Sequence, residues 1–179
     1  MPDFDPIQDL AALAALQEEL AKLFALDAEV LKTVTPAASA WSSEQHLAHM
    51  ALANELVLRN LKSLTLGRGI LLLNGAASDA RAVAMLVEGR LPRGRAQAPR
   101  IVRPPERIQR DLLRQWLDDG HAALAALDPR ALRSGDPKIP HQLLGPLDGP
   151  QWARFAAVHT RHHLAIVDEI LTGARADKR

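Results

Sequence analysis

The helical spacing of apolar residues is the feature that most constrains how this chain can fold. Four stretches, 6–34, 42–67, 105–127 and 150–171, carry apolar side chains at spacings of three and four residues. This spacing gives each stretch one apolar helix face that has to be buried. Alanine and leucine dominate, tyrosine is absent, and only three Phe and three Trp occur, which favours helices over strands. The sequence therefore predicts an all-α fold with four long helices.

Residues that begin or end helices support these boundaries. The second helix is expected to begin near Ser42 or Ser43, with Ser43 offering the N-cap, and Pro36 ends the first. In the fourth, Pro150 stands at the start and Gly173 just beyond the end, which is the usual asymmetry.

The connections between the helices differ in length. The link at 35–40 is short, the link at 67–104 is long and predicts a short helix at 76–87, and 128–149 is rich in Pro and Gly. Helices of similar length with long crossovers are compatible with a bundle. We therefore expect residues 1–179 to form one domain, a four-helix bundle with a long connector between helices 2 and 3.

Charge and composition exclude several classes of protein. The net charge of +1 gives no general reason to expect a nucleic-acid partner, although residues 89–110 hold seven arginines and one glutamate. That run lacks interleaved aromatic residues and a reading motif, so nucleic acid is not expected as a partner and the role of the run stays open. No apolar run is long enough to span a membrane. The chain contains no cysteine, and its first segment, 1–5, contains no basic residue. Both features fit a cytoplasmic protein.

Two histidines of the fourth helix, His159 and His163, are four residues apart and share its apolar face. A buried neutral imidazole needs partners for both ring nitrogens, and a metal ion would supply one. The alternative is a structural or surface histidine pair.

A third ligand is available on the second helix, where the spacing cannot choose between His46 and His49. Three protein ligands with further positions open are typical of catalytic rather than structural sites. Imidazoles suit several divalent metals. Zinc or nickel is expected, with iron as an alternative.

Two segments around these histidines resemble motifs of a known family. Residues 41–50, WSSEQHLAHM, resemble the second-helix motif of the DinB/YfiT-like superfamily, and 158–166, VHTRHHLAI, resemble its last-helix motif. Residues 141–147, followed by Gln151 and Trp152, resemble the segment before the last helix in one branch.

The resemblance implies a four-helix bundle, often dimeric, with one metal-binding histidine on the second helix and two on the last. Matched by position, the metal ligands are His49, His159 and His163, and His46 lies beside the site or at the surface.

The resemblance also implies a function. Relatives include metal-dependent S-transferases and isomerases that use a low-molecular-weight thiol, such as bacillithiol or mycothiol, against an electrophile. On that basis we expect a small-molecule thiol or electrophile as substrate and a homodimer. Arg90, Arg93 and Arg95 of the connector could bind carboxylates, or they form a solvated loop. A metal-assisted hydrolase and a non-catalytic, stress-linked metal-binding bundle remain as alternatives.

The other candidate residues have simpler interpretations. A catalytic enzyme would need an acid or base beside the metal, and the available carboxylates are Glu44, Glu55 and Asp168. His121 is expected at the surface, and His162 and His141 are expected at the surface or beside the metal site. The tryptophans are expected as core or interface anchors: Trp41, Trp116 and Trp152.

Overall fold

The computed structural model describes residues 3–94, 97–135 and 137–176, and most of them are helical, as predicted. The helices in the described part of the chain are α1 (Pro6–Phe24), α2 (Ala28–Leu31), α3 (Ser43–Leu66), α4 (Ala80–Glu88), α5 (Arg110–Ala125) and α6 (Gly149–Ala176). Within these ranges, no helix combines the length and apolar character needed to cross a membrane.

Helices α3 and α6 carry five of the histidines, and each begins with a capping box. At α3, the Gln45 N–H donates to Ser42 Oγ (3.2 Å) and the Ser42 N–H donates to Gln45 Oε1 (3.0 Å). At α6, Asp148 and Gln151 exchange the same pair of bonds at 3.0 and 3.1 Å. The two boxes set where each helix begins, and therefore which residues face the neighbouring helix.

The α6 capping box predicts a measurable loss of stability. Asp148 is 2 % exposed, and its second carboxylate oxygen accepts the Gly135 N–H at 2.9 Å. We expect Asp148→Ala to lower the free energy of unfolding by about 2 kcal/mol, because it removes the cap and leaves buried N–H groups unpaired. Urea denaturation measures the change. Asp27→Ala, at the exposed cap of the one-turn helix α2, is the control and should cost less than about 1 kcal/mol. Equal losses in the two variants would contradict the expectation.

The short helix predicted at 76–87 is present as α4, although it begins at Ala80. Three further predicted helix boundaries were wrong. The stretch 6–34 is not one helix, because Asp27 caps a new helix by accepting the Glu29 N–H at 2.7 Å, which separates α2 from α1. Helix α5 begins at Arg110 rather than at 105. Its first residue is held against the end of α1, where the Arg110 guanidinium donates to the Phe24 carbonyl at 2.6 Å.

Gly173 does not end the last helix, which continues to Ala176. A Cβ at Gly173 would lie 3.0 Å from Thr35 Cγ2. The Thr35 hydroxyl donates to the Ile170 carbonyl at 3.0 Å. This glycine therefore permits the loop after α2 to approach α6 closely.

The Pro- and Gly-rich link 128–149 contains a β-hairpin that the prediction of an all-α fold missed. Strand β1 (Ile139–His141) pairs antiparallel with β2 (Gly145–Leu147), and Pro140 lies opposite Pro146. Neither proline can donate to a strand ladder, so the segment lacks the usual signal of a strand. The Trp152 indole N–H donates to the Ile139 carbonyl at 3.2 Å and thereby fixes the hairpin to the start of α6.

Helix α6 packs against both α1 and α3, and α5 packs against α3. His46, near the start of α3, contacts His163, and Asn54, further along α3, contacts Thr160, which precedes His163 in α6. The two helices are therefore antiparallel. Thr160 and Asn54 are buried and joined by a hydrogen bond of 3.1 Å. The histidines of both helices lie next to this contact, toward the start of α3.

Candidate metal centre

The structure brings His49, His159 and His163 together, as the sequence predicts. One ring nitrogen from each lies within 4.8 Å of the others, so the three could hold a metal ion. His49 on α3 is buried, while His159 and His163 on α6 are partly exposed. The cluster is therefore more deeply buried on the α3 side than on the α6 side.

A backbone carbonyl of the connector orients the His49 ring. Its Nδ1 lies 2.8 Å from the Val102 carbonyl oxygen. A carbonyl can only accept, so Nδ1 carries the proton and Nε2 keeps its lone pair. Nε2 faces His159 Nε2 at 3.3 Å.

This spacing fits two ligands of one metal ion. Nitrogens bound tetrahedrally at about 2.0–2.1 Å from an ion lie roughly 3.3–3.4 Å apart. A hydrogen bond from a protonated His159 Nε2 would usually be shorter, at about 2.7–3.2 Å. The donor set, three imidazoles with the lone pair of one already oriented, suits a divalent transition metal.

His46 lies beside the cluster and is 2 % exposed. Its Nδ1 is 3.1 Å from His163 Nδ1, and its Nε2 is 2.9 Å from Ser39 Oγ. The family resemblance implies that His46 lies beside the site or at the surface, and the structure places it beside the site.

Aromatic rings enclose the histidines on two sides. The Trp41 ring packs against His46 and His49 with centroids 5.4 and 5.2 Å apart. The Phe155 ring lies 5.2 Å from that of His159. The sequence predicts Trp41 as a core or interface anchor, and the structure makes it a wall of the candidate site. Trp152 is buried in the core, while Trp116 is half-buried.

Two further histidines are less exposed than predicted. His141 is half-buried, its ring packs on Phe155 at 4.5 Å, and its Nδ1 accepts the Leu144 N–H at 3.1 Å. His121 is half-buried, and its Nδ1–H donates to the Leu117 carbonyl at 2.9 Å.

Burial keeps the clustered imidazoles neutral. It lowers the pKa of His49, and it lowers the pKa of His46 to about 4. The pKa values of His159 and His163 fall well below the ordinary range, first because of burial and then because a positive charge on one ring would repel its neighbours. Metal ligation needs unprotonated nitrogens, and this site provides them at neutral pH.

The three carboxylates considered as an acid or base beside the metal do not belong to the histidine cluster. Glu55 pairs with Arg59, Asp168 is exposed, and burial raises the pKa of Glu44. Among the described residues, the cluster that could hold a metal consists of histidines alone. An acid or base beside it is therefore not found among these three candidates.

The arginine-rich connector contributes to the site in two ways. Residues 100–102 pack on α3 and supply the Val102 carbonyl. Arg93 binds Glu169 of α6 through two hydrogen bonds of 2.6 and 2.7 Å, and its charge contributes to lowering the pKa of His162. Arg90 is exposed, and Arg95 lies outside the described residues.

Sequence reasoning missed Val102 and Ser39, and it did not place Trp41 at the cluster. A backbone carbonyl carries no residue-type signal, so nothing in the sequence could have identified Val102. Trp41 could have been found, because it stands eight residues before His49 in the motif-bearing segment.

Comparison with known proteins agrees with the motif-based expectation. The family model described as the DinB superfamily matches residues 11–167, a range that includes all three clustered histidines. Comparisons with curated proteins and with solved structures gave no match. Because the family model covers most of the chain, this protein belongs to the DinB superfamily.

Proposed function

We propose that this chain is a metal-dependent enzyme that binds one divalent ion through His49, His159 and His163. The observation that carries the proposal is the convergence of three ring nitrogens within 4.8 Å, one of which has its lone pair oriented by Val102. Membership of the DinB superfamily supports it. Zinc and nickel are the metals we expect, with iron as an alternative.

The metal would supply Lewis acidity, because three neutral ligands leave its charge largely uncompensated and so lower the pKa of a coordinated water or thiol. The residues of this chain do the rest. Val102 orients His49, Trp41 and Phe155 cover two sides of the cluster, and the partly exposed edges of His159 and His163 leave access from outside.

For the reaction we propose a thiol-dependent S-transferase or isomerase. In the transferase, the sulfur of a low-molecular-weight thiol forms a bond to an electrophilic carbon, the leaving group departs with the bonding electrons, and the thiol proton passes to solvent. Arg93 already binds one carboxylate through two hydrogen bonds. To bind a carboxylate of the thiol or of the substrate, Arg93 would have to exchange this glutamate, Glu169, for the incoming carboxylate.

A non-catalytic metal-binding protein is the second candidate. It is favoured by the composition of the cluster, which among the described residues contains histidines and no carboxylate. For either candidate we propose that the four long helices α1, α3, α5 and α6 form a four-helix bundle and that the protein is a cytoplasmic homodimer. The packing of these helices on one another and the family membership support the bundle.

Metal analysis followed by a thiol assay tests the proposal. Protein purified without a nickel column is loaded with zinc, nickel or iron, and the bound metal is measured by mass spectrometry. We expect about one ion per chain, because the described part of the chain contains one three-ligand cluster. Loss of free thiol from bacillithiol or mycothiol is then followed with an electrophile. Consumption only by the loaded protein supports the enzyme, bound metal without consumption supports the second candidate, and no bound metal contradicts both.

A further inference from the structure

A chain of three side chains leads from the loop before α3 to the candidate metal centre: Ser39, His46 and His163. Ser39 Oγ lies 2.9 Å from His46 Nε2, and His46 Nδ1 lies 3.1 Å from His163 Nδ1. We propose that His46 is a positioning residue, which accepts the Nδ1–H of His163 and so holds the His163 Nε2 lone pair toward the metal. This inference rests on the proposed function.

Both ring nitrogens of His46 are occupied by these contacts. The ring is 2 % exposed, so solvent does not compete for them. The Trp41 ring packs against it and against His49. His46 therefore has a fixed orientation, which a residue that positions a ligand requires.

The chain of hydrogen bonds permits two arrangements of its protons. In one, Ser39 donates to His46 Nε2, His46 donates from Nδ1 to His163 Nδ1, and the proton of His163 is on Nε2. In the other, His163 donates from Nδ1 to His46, and His46 donates from Nε2 to Ser39 Oγ. Only the second leaves the His163 Nε2 lone pair free for a metal.

The surroundings of Ser39 are compatible with the second arrangement. Its Oγ already accepts the Trp41 N–H at 3.0 Å, and a hydroxyl oxygen can accept two hydrogen bonds. Ser39 is half-buried, so its oxygen ends the chain as an acceptor while its own O–H can donate to solvent. His49 and His163 then share one design, in which Nδ1–H is held by an acceptor and Nε2 faces the metal.

Zinc titration of the full-length protein tests this role. We expect His46→Leu to weaken zinc binding about 10- to 100-fold, the usual effect of removing a hydrogen-bond partner of a metal-binding histidine. His46→Asn keeps an acceptor near the position of Nδ1 and should bind zinc within about threefold of the wild type. His162→Ala is the matched control, because its ring contacts that of His163 at 5.2 Å without a ring-nitrogen hydrogen bond to it, and it should bind like the wild type. Circular dichroism of the metal-free proteins shows whether each variant is folded.

A spectroscopic measurement separates positioning from packing. In NMR spectra of ¹⁵N-labelled, zinc-loaded protein, the His163 Nδ1–H proton should be visible in the wild type and in His46→Asn and should exchange away in His46→Leu.

Three results of the zinc titration would overturn the inference: equal zinc affinity in His46→Leu and the wild type, a loss of affinity in His46→Leu as large as in His163→Ala, or no rescue of affinity in His46→Asn. Failure of the wild type to bind zinc, nickel or iron would instead overturn the proposed function.

Discussion

Replacing His49, His159 or His163 with alanine is expected to weaken zinc binding several hundred-fold or more. Structural zinc sites bind with about 10–16 kcal/mol in total, so one ligand of three or four accounts for roughly 3–4 kcal/mol. Isothermal titration calorimetry or competition with a chelator measures the loss. Zinc at about 100 times the wild-type Kd should stabilise the wild type by roughly 2.7 kcal/mol, and the variants should lose most of this gain.

His121→Ala is the control for these three variants. His121 lies on α5, where its Nδ1–H is bonded to the Leu117 carbonyl, and the cluster that could hold a metal does not include it. Its replacement should leave zinc affinity unchanged. If the wild type and the three variants contained equal amounts of metal, the three histidines would not be the ligands.

The sequence could predict the pair His159 and His163 because two residues four apart on a helix necessarily share a face. It could not choose between His46 and His49, and the structure shows why. The two residues are three apart on α3, so both face α6, where His46 meets His163 and His49 meets His159. What distinguishes them is the Val102 carbonyl, which belongs to a distant part of the connector.

The fold was predictable where local chemistry decides it. The caps of α3 and α2 show the two extremes. The start of α3 was predicted to within one residue, with Ser43 expected as the cap where the structure uses Ser42, whereas Asp27 was overlooked because it lies within an apolar stripe. Gly173 was misread for a different reason: its role depends on the close approach of Thr35, which is a tertiary contact. The hairpin was missed because its prolines hide the alternation of a strand.

The second large effect concerns a buried ion pair between α1 and α6. Asp9 is 6 % exposed, and its carboxylate accepts a hydrogen bond of 3.1 Å from Arg154, whose Nε also donates to the Leu86 carbonyl. Arg154→Met is expected to lower the free energy of unfolding by about 2–4 kcal/mol at pH 7, because it leaves a buried carboxylate without its counter-charge. The loss should fall below that of a fully buried pair, since the Arg154 side chain is 28 % exposed. Urea denaturation measures it.

The dependence of this loss on pH identifies its cause. Burial raises the pKa of Asp9 above its ordinary value, and Arg154 opposes that rise. A carboxyl group with a raised pKa in the folded state favours folding at low pH, and this stability is lost as the pH rises through the folded pKa. Without Arg154 the pKa of Asp9 rises further, so the difference between Arg154→Met and the wild type should shrink as the pH is lowered from 7 and Asp9 takes up its proton. Adding Asp9→Asn to Arg154→Met should restore most of the stability at pH 7, because the uncompensated charge is then gone. A loss that is independent of pH and is not rescued by asparagine would assign the effect to the packing of the arginine side chain instead of its charge.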